Sequence, residues 1–112
     1  MTTPVYDVSG TALTIAAADL FTVPAGKVRH VMQVQACNVD GDNDVDVTLQ
    51  WTDASNAEAV TRLAYQVTVS AKDARSLLAG ALLLSAGDKL QALASAAGDA
   101  ELTVTYYDED AV

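Results

Sequence analysis

His30 is the single histidine and Cys37 the single cysteine of this 112-residue chain. A nucleophilic site needs a nucleophile, a base and a group that orients the base. Seven residues apart on one regular strand, His30 and Cys37 fall on opposite faces, ~20 Å from each other. They make no dyad there, and no Gly-x-Ser-x-Gly elbow stands elsewhere. His30 lies within an apolar strand face, which reads as a histidine at a core margin or a subunit contact. Two His or Cys residues are too few for a structural zinc, which takes about four. Gly26-Lys27 is no phosphate loop: Phe21 stands at the first glycine position and Val28 at the hydroxyl position. Fifteen Asp and Glu residues could give a glycosidase pair by chance, but six aromatic residues offer little for a sugar to stack on.

Calcium is the strongest chemical rival. Asp40, Asp42, Asp44 and Asp46 recur at alternate positions around Gly41. Oxygen-rich loops of this kind hold Ca²⁺, and Asp40, Asp42 and Asp44 are the carboxylates it would use. The EF-hand pattern fails, with Val45 at the glycine position and Trp51 at the bidentate position. Asp44 and Asp46 also suit the wet face of a strand, so an ordinary acidic hairpin is the simpler reading. No catalytic residue, metal or cofactor is expected.

The elements that must carry these residues are strands. Val45, Val47, Leu49 and Trp51 alternate with Asp44, Asp46, Thr48, Gln50 and Thr52. That period of two is a half-buried strand, whereas a helix would scatter the apolar residues. Leu102, Val104 and Tyr106 alternate likewise, and Asp108-Glu109-Asp110 is expected to end the strand in a solvated acidic tail, residues 108–112. Val28, His30, Met32, Val34 and Ala36 share one predicted face and Arg29, Gln33 and Gln35 the other. Val31 breaks that alternation, which points to a bulge or a second contact surface. Thr61, Leu63, Tyr65, Val67 and Val69 form one face of a further strand, and 82–85 and 89–95 make two more. A helix over 55–65 is the rival there, since Ser55-Asn56-Ala57-Glu58 fits a capping box. Ala-rich 90–97 carries a similar ambiguity.

Turn residues punctuate these runs. Pro4 and Ser9-Gly10 flank a short first strand, and Pro24-Ala25-Gly26 is a proline-led turn. Asp40-Gly41-Asp42-Asn43 is a hairpin signal, and Ala86-Gly87-Asp88 and Ala97-Gly98-Asp99 mark two more reversals. One domain over residues 1–112 follows: an all-β antiparallel β-sandwich or jelly roll of about eight strands. Its composition, 51% hydrophobic and 19% charged, excludes a disordered chain. A net charge of −9, with Arg29, Arg62, Lys72, Arg75 and Lys89 scattered, argues against nucleic acid and anionic membranes as partners. Residues 1–7 lack the basic and apolar run of a signal peptide. The apolar stretch 77–86 is about half of the ~20 residues a spanning helix needs.

Several stretches together resemble small virion proteins of tailed bacteriophages: Phe21-Thr22-Val23-Pro24-Ala25-Gly26-Lys27, then Gln35-Ala36-Cys37-Asn38-Val39, then residues 45–53, then residues 82–92 with Ala86-Gly87-Asp88-Lys89-Leu90 at their centre. The similarity spans residues 19–107. Where such proteins continue into a proline-led turn, this chain has Ser70-Ala71-Lys72-Asp73-Ala74. The resemblance implies a non-enzymatic particle component in many copies, located in the virion. It would be a capsid decoration (cement) protein in preference to a tail- or fibre-associated β-sandwich. The implied partners are a major capsid protein or a tail protein, with the chain itself a homo-oligomer such as a trimer. A carbohydrate- or calcium-dependent adhesion module is the second reading.

For an interface, the large side chains Trp51, Tyr65, Tyr106 and Tyr107 come first, with core packing favoured for Trp51. The run 77–84 is apolar on both alternating faces, which predicts a strand buried once in its own core and once elsewhere. Leu78, Leu83, Tyr65 and Tyr107 are therefore the expected contact residues.

Overall fold

The computed structural model describes residues 6–111. It contains nine strands: β1 Tyr6–Ala12, β2 Ala18–Thr22, β3 Lys27–Asn38, β4 Val45–Asp53, β5 Ala59–Val69, β6 Ala74–Ser76, β7 Leu82–Ser85, β8 Lys89–Ala94 and β9 Ala100–Asp110. Sheet A has the order β1-β9-β3-β6, with β7 also paired to β3, and sheet B the order β2-β8-β4-β5. Both sheets are antiparallel. Taking β6 and β7 as one interrupted strand along β3, this is the eight-strand order of a jelly roll. The expected fold class is the observed one. The rival helix reduces to a single 3₁₀ turn, Ala54–Asn56, capped by the Asp53 side chain.

The core lies between the sheets. Val31, Val34, Ala36, Leu84, Leu102 and Val104 of sheet A face Val45, Val47, Leu49, Leu90, Ala92 and Ala94 of sheet B. Trp51 packs against this cluster from its margin. The alternation of β4 predicted its inward face. Its other face is less wet than expected, because Thr48, Gln50 and Thr52 are buried as well. These are short or flexible polar side chains on a strand flanked by β5 and β8. Gln50 Nε2 donates to Gln91 Oε1 (2.9 Å), and the Thr48 hydroxyl accepts the Gln66 N–H (3.1 Å).

Turns of one kind lead into β3 and β8. The Lys27 N–H bonds back to the Pro24 carbonyl, with Gly26 at φ +76. The Asp88 N–H bonds back to the Ser85 carbonyl, with Gly87 at φ +87. Both are four-residue turns whose third position takes a left-handed backbone, which glycine adopts at no steric cost. Asp88 then has its carboxylate buried, accepting the Ala54 and Ser85 N–H groups at 2.9 Å each.

Several boundaries depart from the sequence reading. Ser9-Gly10 sits inside β1 and does not end it, while Pro4 lies outside the described residues. Asp108-Glu109-Asp110 belongs to β9 and pairs with Arg29, Val28 and Lys27, so these acids are no solvated tail. The run 77–84 is not one strand: residues 77–81 bridge β6 and β7, and the Leu77 N–H bonds to the Val34 carbonyl. Tyr65 does not share a face with Val67 and Val69, because register shifts in β5 place residues 65 and 66 opposite Thr48 alone.

Candidate interaction face

The alternation of β3 is broken at Met32, where the register with β9 shifts between Val31 and Gln33. A bulge inserts one unpaired residue and reverses which side chains face inward. Before it, Arg29 and Val31 point into the sandwich and His30 points out. After it, Val34, Ala36 and Asn38 point in. His30 is therefore on the opposite face from the one the plain alternation assigned. Cys37, half-buried between Ala36 and Asn38, comes to the same outer face as His30, but near the other end of the strand.

The inward Arg29 forms a lock at one end of the sandwich. Its Nε and Nη2 donate to the two carboxylate oxygens of Asp108, at 2.6 and 2.9 Å. Its guanidinium lies 4.6 Å from the Phe21 ring centre and 4.0 Å from that of Tyr106. Phe21 comes from sheet B and the other partners from sheet A, so one cation ties the sheets together. The Arg29 hydrogen bonds hold the Asp108 carboxyl below its ordinary range, against the opposing effect of burial. Burial pushes the Tyr106 hydroxyl up. Beside the lock, Lys27 pairs with Asp110, which raises the affinity of the ammonium for its proton.

The outer side of sheet A carries a continuous row. Cα partners across antiparallel strands share a face. Tyr6 pairs with Tyr107, Tyr107 with His30, and His30 with Leu83. Four side chains from β1, β9, β3 and β7 thus stand in line. The His30 and Tyr107 rings stack at 4.4 Å with 8° between planes, and Tyr6 leans on Tyr107 at 4.9 Å. His30 Nε2 is 3.3 Å from Glu109 Oε1 and makes no hydrogen bond among the described residues. Tyr6 is 60% exposed and Leu83 59%.

Strand β1 is amphipathic with its apolar side turned away from the core. Asp7, Ser9 and Thr11 are on the side where Tyr106 donates to Asp7 (3.4 Å). Tyr6, Val8, Gly10 and Ala12 are on the outer side, with Val8 60% exposed. Sheet B presents the opposite character. Asp19, Gln91, Gln50 and Arg62 form a row in register across its outer face. Gln91 donates to Asp19 at 2.7 Å, and Gln50 to Gln91. Such a row is satisfied in water, whereas the aromatic and aliphatic row on sheet A gains by leaving it.

The four expected contact residues divide on this geometry. Leu83 and Tyr107 are brought together with Tyr6 and His30. Leu78 packs on the core, and Tyr65 stands exposed in sheet B with the Arg62 guanidinium 5.8 Å from its ring centre. Sequence reading did not place Tyr6 in this row. The signal was there in the alternation Tyr6-Asp7-Val8-Ser9, but it gives no sign of which side a partner sheet covers.

The acidic hairpin does not converge. Asp40 Oδ1 accepts the Asp42 N–H (2.8 Å), Asp44 Oδ1 accepts the Ala71 N–H (3.2 Å), and Asp46 Oδ1 accepts the Thr68 hydroxyl (2.7 Å). The Asp42 N–H, with the Asn43 side-chain amide, holds Asp40 below the ordinary carboxylate range. Among the described residues no three His, Cys, Asp or Glu side chains are grouped to hold a metal.

No protein-family model matches the chain, and no curated protein matches it. Among solved structures, the chain is similar to one from Bacillus endospore appendages, described as a family of disulfide-linked pili. The TM-score is 0.59 at 11% identity, over 98% of this chain and 88% of that one. The two share a fold. A pentameric capsid protein from metagenomic phage sequences aligns at 19% identity and TM-score 0.44, over 94% of this chain but only 59% of its own length. A chain from infectious bursal disease virus, strain Gt, aligns at 9% identity and TM-score 0.42, over 97% of this chain and 31% of that one. At these scores the two viral likenesses add nothing to the fold assignment.

Proposed function

We propose that the chain is a non-enzymatic structural subunit of a tailed-phage particle, a capsid decoration protein held on its neighbours by the outer face of sheet A. The observation that carries this reading is the Tyr6–Tyr107–His30–Leu83 row, exposed at both ends and extended by Val8, against a polar Asp19–Gln91–Gln50–Arg62 row across the outer side of sheet B. Fully burying an exposed apolar side chain is worth roughly 1.5–3 kcal/mol, and Tyr6, Val8 and Leu83, each about 60% exposed, gain part of that apiece. The resemblance of residues 19–107 to small virion proteins supplies the setting. The role requires only association energy and a rigid scaffold.

A fibre-associated subunit is the second reading, favoured by the fold shared with the endospore-appendage chain. The carbohydrate reading loses ground on ring geometry. Tyr107 has His30 against one face and Tyr6 against the other, so it offers no flat face for a sugar.

The test is co-sedimentation of the purified chain with capsids that lack it. Wild-type protein saturates the particles, and Leu83→Asp weakens binding by at least about tenfold, ~1.4 kcal/mol. Equal binding by Leu83→Asp, with Arg62→Ala on sheet B weakening it instead, would reverse the assignment of faces.

A further inference from the structure

The edges of the two sheets are not equally protected. An open edge strand is a template for another strand, and proteins blunt it with short pieces, bulges, charges or proline. In sheet A, the edge opposite β1 is broken into three- and four-residue pieces, β6 and β7, with Arg75 in the first. In sheet B, β2 carries a register shift between Asp19 and Phe21. The other edge, β5, carries two register shifts, Arg62, and Gln66 at φ +50. Strand β1 has only one of these devices, the charge of Asp7 near its start. Its seven residues pair with β9 in unbroken register and include no Lys, Arg or Pro.

The direction of its free groups follows from the end of the strand. The Leu13 N–H donates to the Ala100 carbonyl, and the Leu13 carbonyl accepts from Gly98. Alternate residues of an antiparallel strand bond to the same neighbour. Thr11, Ser9 and Asp7 therefore bond toward β9, and the N–H and C=O groups of Tyr6, Val8, Gly10 and Ala12 point to the open side, where the Val8 N–H is held by Asp7 Oδ1 (2.8 Å), a bond an incoming strand replaces. We propose that this edge is where a second copy of the same chain pairs, antiparallel about a two-fold axis, continuing sheet A across two molecules. The inference rests on reading the chain as an assembly subunit and names one of its contacts.

The strand is complementary to itself in that arrangement. A register centred on Ser9 uses all seven residues and sets Val8 against the second copy's Gly10 and Tyr6 against the second copy's Ala12. Large side chains then meet small ones on the outer face. Asp7 falls opposite the second copy's Thr11, so the like charges of the two strands are not opposed. Two-fold pairing of one patch with itself closes as a dimer. The apolar row on the outer face is lengthened by it.

Sedimentation equilibrium of the full chain tests the contact. The wild type runs at twice 11.6 kDa. Val8→Pro removes an open-side N–H, the one held by Asp7 Oδ1 in the single chain, while leaving the β9 ladder intact, and raises the dimer dissociation constant at least about tenfold. Gly10→Lys is the second variant, because a Cβ there meets nothing closer than 3.8 Å, so it adds edge charge without a clash. It weakens the dimer similarly, whereas Val8→Thr keeps it. Leu83→Asp tests the face and leaves the dimer intact, so the two readings fail separately. A monomeric wild type at its highest soluble concentration would overturn the edge contact. So would a dimer that survives Val8→Pro and Gly10→Lys but dissociates with Leu83→Asp, which would place the contact on the face.

Discussion

Replacing Arg29 with methionine removes the cation that joins the two sheets and leaves the volume nearly filled. Arg29 is 7% exposed, and its fork makes two short bonds to Asp108. Breaking a buried pair from one side costs about 3–5 kcal/mol, because the remaining charge is stranded. The Asp108 side chain is 28% exposed, so water recovers part of that, and the cost falls near ~2–3 kcal/mol. Loss of the cation's contacts with Phe21 and Tyr106 adds about 1 kcal/mol. The sum, ~3–4 kcal/mol, is a large share of the ~5–15 kcal/mol available to a domain of this size. At roughly 4 °C or more per kcal/mol, the midpoint falls by about 12–16 °C. Thermal and urea melts followed by Trp51 fluorescence and far-ultraviolet circular dichroism measure it. The double variant Arg29→Met/Asp108→Leu should regain most of the loss, since no charge is then stranded. A single variant within ~0.5 kcal/mol of wild type, or a double variant weaker than the single, would refute the reasoning.

The same pair sets a pH dependence. The Asp108 carboxyl is held below its ordinary value of 3.8, chiefly by Arg29, so its contribution is complete above that value and is lost as the pH falls below it. Melts of Asp108→Asn should therefore lose less stability than wild type on acidification below about pH 4. Asn38→Ala should cost ~2–3 kcal/mol in urea melts. Its buried amide donates to the Asn43 and Val69 carbonyls and accepts the Asp40 N–H. Gly87→Ala should lower the melting temperature by several degrees, ~1–2 kcal/mol, since φ is +87 and the new Cβ would lie 3.1 Å from Ala54 Cβ. Thermal melts in Ca²⁺ and in EDTA should coincide, because Asp40, Asp44 and Asp46 each accept a separate hydrogen bond.

The strands that obey a period of two were legible. Val45, Val47, Leu49 and Trp51 identified β4 from residue types alone, and the glycine turns before β3 and β8 followed from local backbone chemistry. What stayed hidden depends on partners distant in sequence. Arg29 reads as a surface residue until Asp108, 79 positions away, is seen beside it. The bulge at Met32 was signalled by Val31, but the pattern could not say that it would turn His30 outward and Arg29 inward. Acidic residues 108–110 look like a solvated tail until the basic start of β3 is placed opposite them. Leu83 and Tyr107 were expected as contact residues from size and apolar character. Their assembly into one row with Tyr6 and His30 is a matter of register among four strands, which no local pattern records.

A cryo-EM map of the assembled particle tests the central claim most directly. The account predicts density from a neighbouring subunit over Tyr6, Tyr107, His30 and Leu83, with the Asp19–Gln91–Gln50–Arg62 row facing solvent. A particle in which the aromatic row is bare and the polar row is covered would contradict it.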